Sequence, residues 1–238
     1  MNPQRFDDKV VLITGAARGQ GAAEVEMMAG LGADVIACDV LDADGEALAR
    51  RLGESVRYQR LDVTEPADWD SVTTEAVSRH GRIDVLINNA GVYRRAPLSD
   101  WSARQIRDML DVNLVGPILG MKTVSAVMPD GGSIVNVAST AGMRGFGGAL
   151  PYAASKWGLR GASRSAALEL APRIRVNCVV PGAVDTPMID AATLDLTHLA
   201  LPRAAQPDEV ARMVAFLASD ACGYCTGAEF VVDGGATA

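Results

Sequence analysis

The chain has 238 residues, 49% of them hydrophobic, which is enough for one large domain. Lys and Arg number 22 against 29 Asp and Glu, a formal charge of −7 that argues against a nucleic-acid partner, because phosphate binding needs a basic face. No stretch stays apolar for the roughly 18 residues a bilayer span requires, and "MNPQRFDDKVVLITG" lacks a basic leader, so a soluble, cytoplasmic protein without membrane contact is expected. Short runs rich in Val and Ile then alternate with helical patterns. The runs 10–14, 34–39, 56–63, 84–89, 133–139, 175–182 and 229–234 read as seven strands, most apolar on successive positions, as strands buried on both faces should be. Between them, segments such as 42–53, 65–81 and 102–124 carry apolar residues at helical spacing. Strand and helix repeated in this way predict an α/β fold, a single-domain Rossmann-type, doubly wound parallel sheet over residues 1–238, with helices on both faces.

Ligands in such a sheet sit beyond the carboxyl ends of the strands, where the strand order reverses. The first strand is followed by "TGAARGQG", in which Gly15, Gly19 and Gly21 permit a tight turn and bring backbone amides and a helix amino terminus to a pyrophosphate. Asp39 ends the second strand, where a dinucleotide fold places the acid that holds the adenosine ribose hydroxyls. A carboxylate there repels a 2′-phosphate, so NAD is favoured over NADP. Arg18, inside the glycine loop, either neutralises a phosphate or is an ordinary surface arginine. Asp62, after the third strand, either reaches the adenine amino group or caps the helix that follows.

The lone "CGYC" at Cys222 and Cys225 reads as ordinary reduced thiols. His80 and His198 stand in no ligand spacing to it, and no metal is expected.

Six motifs in order, "TGAARGQG", "NNAG" at 88–91, Asn113 in "DVNLVG", Ser139 in "NVASTAG", "YAASK" at 152–156 and "PGAVDT" at 181–186, together resemble the short-chain dehydrogenase/reductase family over essentially the whole chain. Within it, "YQRLDVTEPADW" and "YCTGAEFVVDGG" look most like bacterial NAD-dependent 3α(20β)-hydroxysteroid dehydrogenases. The resemblance implies a catalytic set of Asn113, Ser139, Tyr152 and Lys156. Tyr152 would act as acid/base, Ser139 would orient the substrate oxygen, and Asn113 would hold a water near Lys156. The chemistry agrees with the spacing. A free tyrosine has a pKa of about 10 and is a poor base near neutrality, and a lysine one helical turn further on puts an ammonium on the same face, favouring the phenolate.

By the same resemblance, cofactor contacts would come from Gln20, Val63, Asn89, Ala90 and Gly91, from Tyr152 and Lys156, and from Pro181, Gly182, Val184 and Thr186. The substrate pocket would be lined by Val92, Tyr93, Met143, Phe146, Leu150, Met188, Ile189, Leu194, Leu196 and Leu199, with 187–205 forming a lid, a lining that suits a hydrophobic alcohol or ketone. A homotetramer is implied by family. Two alternatives stay open: a 3-oxoacyl-carrier-protein reductase using NADPH, and a non-catalytic dinucleotide sensor sharing the fold.

Overall fold

A computed structural model describes residues 5–189 and 194–238. Seven parallel strands form one sheet: β1 (Val10–Thr14), β2 (Asp34–Asp39), β3 (Val56–Arg60), β4 (Val85–Asn88), β5 (Gly132–Val137), β6 (Ile174–Pro181) and β7 (Glu229–Val232), in the order β3-β2-β1-β4-β5-β6-β7. The central strands β1, β4 and β5 are buried throughout, which is why they read as unbroken apolar runs; edge strands β3 and β7 are partly open to solvent.

Successive strand side chains serve opposite layers. Val11 and Ile13 of β1 point into a core closed by α1 (Gly19–Gly30) and α7 (Pro207–Ala218), with Met28 and Val214 among its members. Leu12 points the other way, into a core with Trp69 of α3 (Pro66–His80) and Met121 and Val124 of α5 (Gly116–Ser125). The long α6 (Leu150–Leu170) also covers this second face, while α2 (Asp42–Leu52) joins β2 to β3. After β3 the chain returns past β1 to build β4, so the sheet reverses between β1 and β4, and a crevice opens there at the strands' carboxyl ends.

Three expectations need correction. The third strand ends at Arg60 rather than Val63, because its ladder partner β2 ends at Asp39, which pairs with Arg60. The other strand limits move by one or two residues, as ladder ends do. The helix expected over 102–124 is broken. A capping box from Ser102 and Gln105 starts α4 (Ala103–Leu110), a wide π-type turn occupies Asp111–Val115, and α5 follows. Asn113 accounts for the turn. Its Oδ1 accepts from Val92 N (2.8 Å) and its Nδ2 donates to Val92 O (2.9 Å), a side chain imitating a backbone ladder and tying the helix to the loop after β4.

Candidate active site

The turn after β1 is shaped by close approach. A Cβ at Gly15 would lie 2.6 Å from the Ala90 Cα, and one at Gly21 2.0 Å from the Gly15 carbonyl oxygen. Gly15 and Gly19 also take φ of 64° and 58°, the left-handed region that favours glycine. A Cβ at Gly19 would stand 3.3 Å from that of Thr186, so "PGAVDT" folds over the loop. The loop is further pinned by Asp39, 8% exposed, whose Oδ2 accepts from Ala17 N (2.9 Å) while Oδ1 accepts from Val40 N and Leu41 N (2.7 and 3.1 Å). Arg18 is exposed and makes no ion pair among the described residues.

Asparagine and threonine lock the "NNAG" turn to the same loop. Asn89 Nδ2 donates to Thr14 O and Gly15 O, both at 3.0 Å, and Thr14 Oγ1 accepts from Asn89 N and Ala90 N, both at 3.1 Å. Gln20 Nε2 donates to Asn89 Oδ1 (3.4 Å) and Glu24 Oε1 (3.0 Å). Glu24 is fully buried, its second oxygen has no partner, and burial pushes its carboxyl up to about 8. Thr14 and Glu24 were not anticipated as site supports. Glu24 had a signal, a charged residue in line with the buried Val25 and Met28 of α1.

At Asp62 the helix-cap alternative is corrected. Its Oδ1 accepts from Thr64 N (3.0 Å) and Thr64 Oγ1 (2.7 Å), closing a turn of its own. It does not cap α3, whose first helical residue is Pro66 after Glu65. Neighbouring Val63 is buried, and its carbonyl accepts from Trp69 Nε1 at 3.0 Å.

On the other side of the crevice α6 carries Tyr152 and Lys156. Lys156 is 4% exposed; its Nζ donates to Val137 O at 2.8 Å and lies 5.7 Å from the Tyr152 ring centroid. Burial brings this ammonium down to about 8. Ser139 follows β5 in extended backbone, and its Oγ accepts from Ala141 N (3.2 Å). Tyr93 packs edge-on against Tyr152, centroids 4.9 Å apart. A Cβ on Gly91 would be 3.3 Å from Asn113 Oδ1 and 3.8 Å from Lys156 Nζ, so those two side chains meet at Gly91 with Tyr152 beside Lys156.

One detail differs from expectation. Burial pushes the Tyr152 phenol above its ordinary value, Ser139 pulls it back, and Tyr93 adds to the rise; Lys156 does not dominate it. The Asn113 carboxamide bonds Val92 and Ser155 Oγ (3.3 Å), which ties the loop after β4 to α6. Behind them runs an unanticipated polar chain through the sheet: Asn88 Nδ2 donates to Asn136 Oδ1 and Asn136 Nδ2 to Ser163 Oγ, both at 2.8 Å.

Of the expected lid, residues 190–193 lie outside the described residues. Its two flanks meet, since Asp185 N donates to Ala205 O and Ala205 N to Ala183 O, each at 2.9 Å. Met188 and Leu194 are exposed, while Leu199 is buried. Leu150 is half exposed, and Val92 is exposed beside the site. The cysteines Cys38, Cys178, Cys222 and Cys225 are all free thiols. Among the described residues no helix is long and apolar enough to cross a membrane.

The glycine cradle, the helix amino terminus at Gly19 and the fixed carboxylate of Asp39 fit a dinucleotide. A family model described as enoyl-(acyl carrier protein) reductase matches residues 15–237. The 3-alpha-(or 20-beta)-hydroxysteroid dehydrogenase of Mycobacterium bovis is 45% identical over 237 residues, covering 98% of this chain and 91% of that protein. The trans-4-hydroxycyclohexanecarboxylate dehydrogenase of Sinomonas cyclohexanicum is 40% identical over 245 residues, with coverage of 98% and 95%. The crystal structure of a blue fluorescent protein from a metagenomic library in complex with NADPH superposes with a TM-score of 0.94 at 35% identity, covering 98% of this chain and 100% of that one. The chain belongs to the short-chain dehydrogenase/reductase family, oxidoreductases that bind a nicotinamide dinucleotide and act on alcohols.

Proposed function

We propose that this protein is an NAD-dependent dehydrogenase that interconverts a hydrophobic alicyclic secondary alcohol, with hydroxysteroids in its range, and the corresponding ketone. The observation that carries the reading is the convergence of Tyr152, Ser139, Lys156 and Asn113 beside the glycine cradle. The relatives support the substrate class, since their names specify a hydroxysteroid and a hydroxycyclohexane.

Bound in the glycine cradle, an oxidised nicotinamide would supply the hydride acceptor and a positive charge. The chain's own part is proton handling. Ser139 hydrogen-bonds the substrate oxygen, and the hydroxyl proton passes to Tyr152 Oη as the carbinol C–H bond breaks. Burial holds that phenol above its ordinary value and Ser139 lowers it, so a bound positive charge would favour the ionised base. Lys156, fixed on the Val137 carbonyl, supplies the cation on the far side and holds ribose hydroxyls. Asn113 fixes the loop that carries Tyr93, and Ala205 is joined to Ala183 and Asp185 at the edge of the site.

NAD is preferred because the carboxyl end of β2 presents an anion held in place by three backbone amides, and the nearby Arg60 is already paired with Asp42 at 2.8 Å. Arg18 is the group that would favour NADP and the carrier-protein reductase reading. Reduced-nicotinamide formation, followed with NAD and separately with NADP over steroid, cyclic and linear secondary alcohols, tests the proposal. Turnover of cyclic alcohols with NAD is expected. Exclusive use of NADP, or dinucleotide binding with no turnover of any alcohol, would overturn it.

A further inference from the structure

Glu24 stands on the buried face of α1 with Val25 and Met28, five residues and about 7.5 Å along the helix from Gly19. An apolar side chain would fill that place at lower cost, since the carboxyl is fully buried and one of its oxygens has no partner among the described residues. What the carboxyl holds is Gln20. Gln20 Nε2 donates to Glu24 Oε1 at 3.0 Å and to Asn89 Oδ1 at 3.4 Å, and Asn89 in turn bonds the Thr14 and Gly15 carbonyls. A path of side chains therefore runs from the buried face of α1 to the turn after β1.

The elements packed on α1 are β1, β2, α2 and α7, and β1 brings no titratable side chain. Of β2, Asp34 lies at the exposed start beside His80, Cys38 is a buried thiol, and Asp39 is spent on three backbone amides. Arg51 of α2 pairs with Glu26 of α1, and on α7 Arg212 pairs with Asp208 and Glu209 with Arg203. None of these charges acts on Glu24. Its carboxyl is raised by burial and eased only by Gln20, so no cation stands ready to hold it ionised.

The glycine cradle and the amino terminus of α1 fit the pyrophosphate of a dinucleotide, and that anion and an ionised Glu24 would be like charges in one poorly screened part of the molecule. A protonated Glu24 keeps the Gln20 bond without the repulsion. We infer that Glu24 is a positioning residue that supports the dinucleotide-binding turn as a neutral acid, through Gln20 and Asn89, and that losing its proton loosens the hold on the dinucleotide, so that binding takes up a proton. The inference rests on the reading that this turn holds the dinucleotide.

The test is calorimetric titration of NAD, and separately of NADP since both carry the pyrophosphate, into wild type and Glu24→Gln between pH 7 and pH 9, in two buffers of different ionisation enthalpy. Glu24→Gln keeps an acceptor for Gln20 and removes the titrating proton. Lys156, across the crevice, is brought down to about 8 as well, so the comparison with the variant carries the result. Wild-type affinity should fall relative to the variant by about fivefold over this range, and wild type should take up about half a proton more near pH 8.5, as a carboxyl whose midpoint rises by about one pH unit on binding requires. Equal pH profiles and equal proton counts would overturn the inference and leave the dinucleotide reading intact, whereas no binding of either cofactor at pH 7 would overturn both. Infrared spectroscopy of wild type needs no variant. A protonated-carboxyl band should be present at pH 7, titrate with a midpoint of about 8 and persist about one pH unit higher with dinucleotide bound. A band absent at pH 7, or a midpoint that binding does not move, would sink the inference.

Discussion

Tyr152 shows how one side chain is set by its neighbours. Its phenol is held high by burial and by Tyr93, and Ser139 is the one protein group that relieves it. Tyr152→Phe should cost about 10³-fold in turnover while dinucleotide binding, read by fluorescence, persists. Because oxidation needs the phenolate and reduction the phenol, kcat/KM for alcohol should rise with pH and that for ketone fall; a flat profile in both directions would exclude this base. Glu24 gives a second residue-scale test. Its carboxyl is raised to about 8, so the folded chain holds a proton that the unfolded chain, with an ordinary value near 4.3, has released. The resulting stabilisation is complete below the unfolded value and is lost as pH rises through about 8. Glu24→Gln should therefore gain on wild type by about 3–4 kcal/mol on going from pH 5 to pH 8 in urea unfolding, and parallel curves would refute a buried titrating carboxyl.

Among elements, the turn after β1 and the end of β2 act as one unit, because the Asp39 carboxylate bonds the Ala17 amide. Asp39→Asn should shift the NADP to NAD ratio of kcat/KM upward by about tenfold and lower stability by about 1–3 kcal/mol, the cost of weakening bonds to buried amides. No change in the ratio would mean that Asp39 serves only the loop. Much of this level was legible in the sequence. The glycine loop, "NNAG" and the Tyr-Lys pair lie where strand ends put them, because both-face burial gives unmistakable apolar runs and fixes where the turns fall. What was not legible depends on contacts between distant segments. The wide turn at 111–115 exists because Asn113 binds Val92 of another loop, and Asp62 turns back on Thr64 instead of capping α3. Helical periodicity over 102–124 did not show that break, which depends on a contact with a distant loop.

For the whole molecule, the catalytic helix is tied to the carboxyl-terminal strand by a nearly buried ion pair. Arg160 Nη2 lies 2.6 Å from Glu229 Oε2, both side chains are about nine-tenths covered, and Arg164 approaches the other oxygen at 3.0 Å. Glu229→Gln leaves Arg160 without its counter-charge and should cost about 3 kcal/mol in unfolding free energy; a loss under about 0.5 kcal/mol would show that solvent replaces the pair. Trp157 and Leu168 of α6 and Val231 of β7 are exposed apolar side chains. The account rests at last on the coupling of the two halves of the crevice, the glycine cradle and the Tyr152 cluster. Its most direct test is a reaction of NAD with a cyclic alcohol deuterated at the carbinol carbon, followed by NMR of the reduced cofactor. Deuterium on one face of the nicotinamide with wild type, and none with Tyr152→Phe, is the expected result. Equal transfer by the variant, or none by wild type over a full panel of cyclic alcohols, would contradict it.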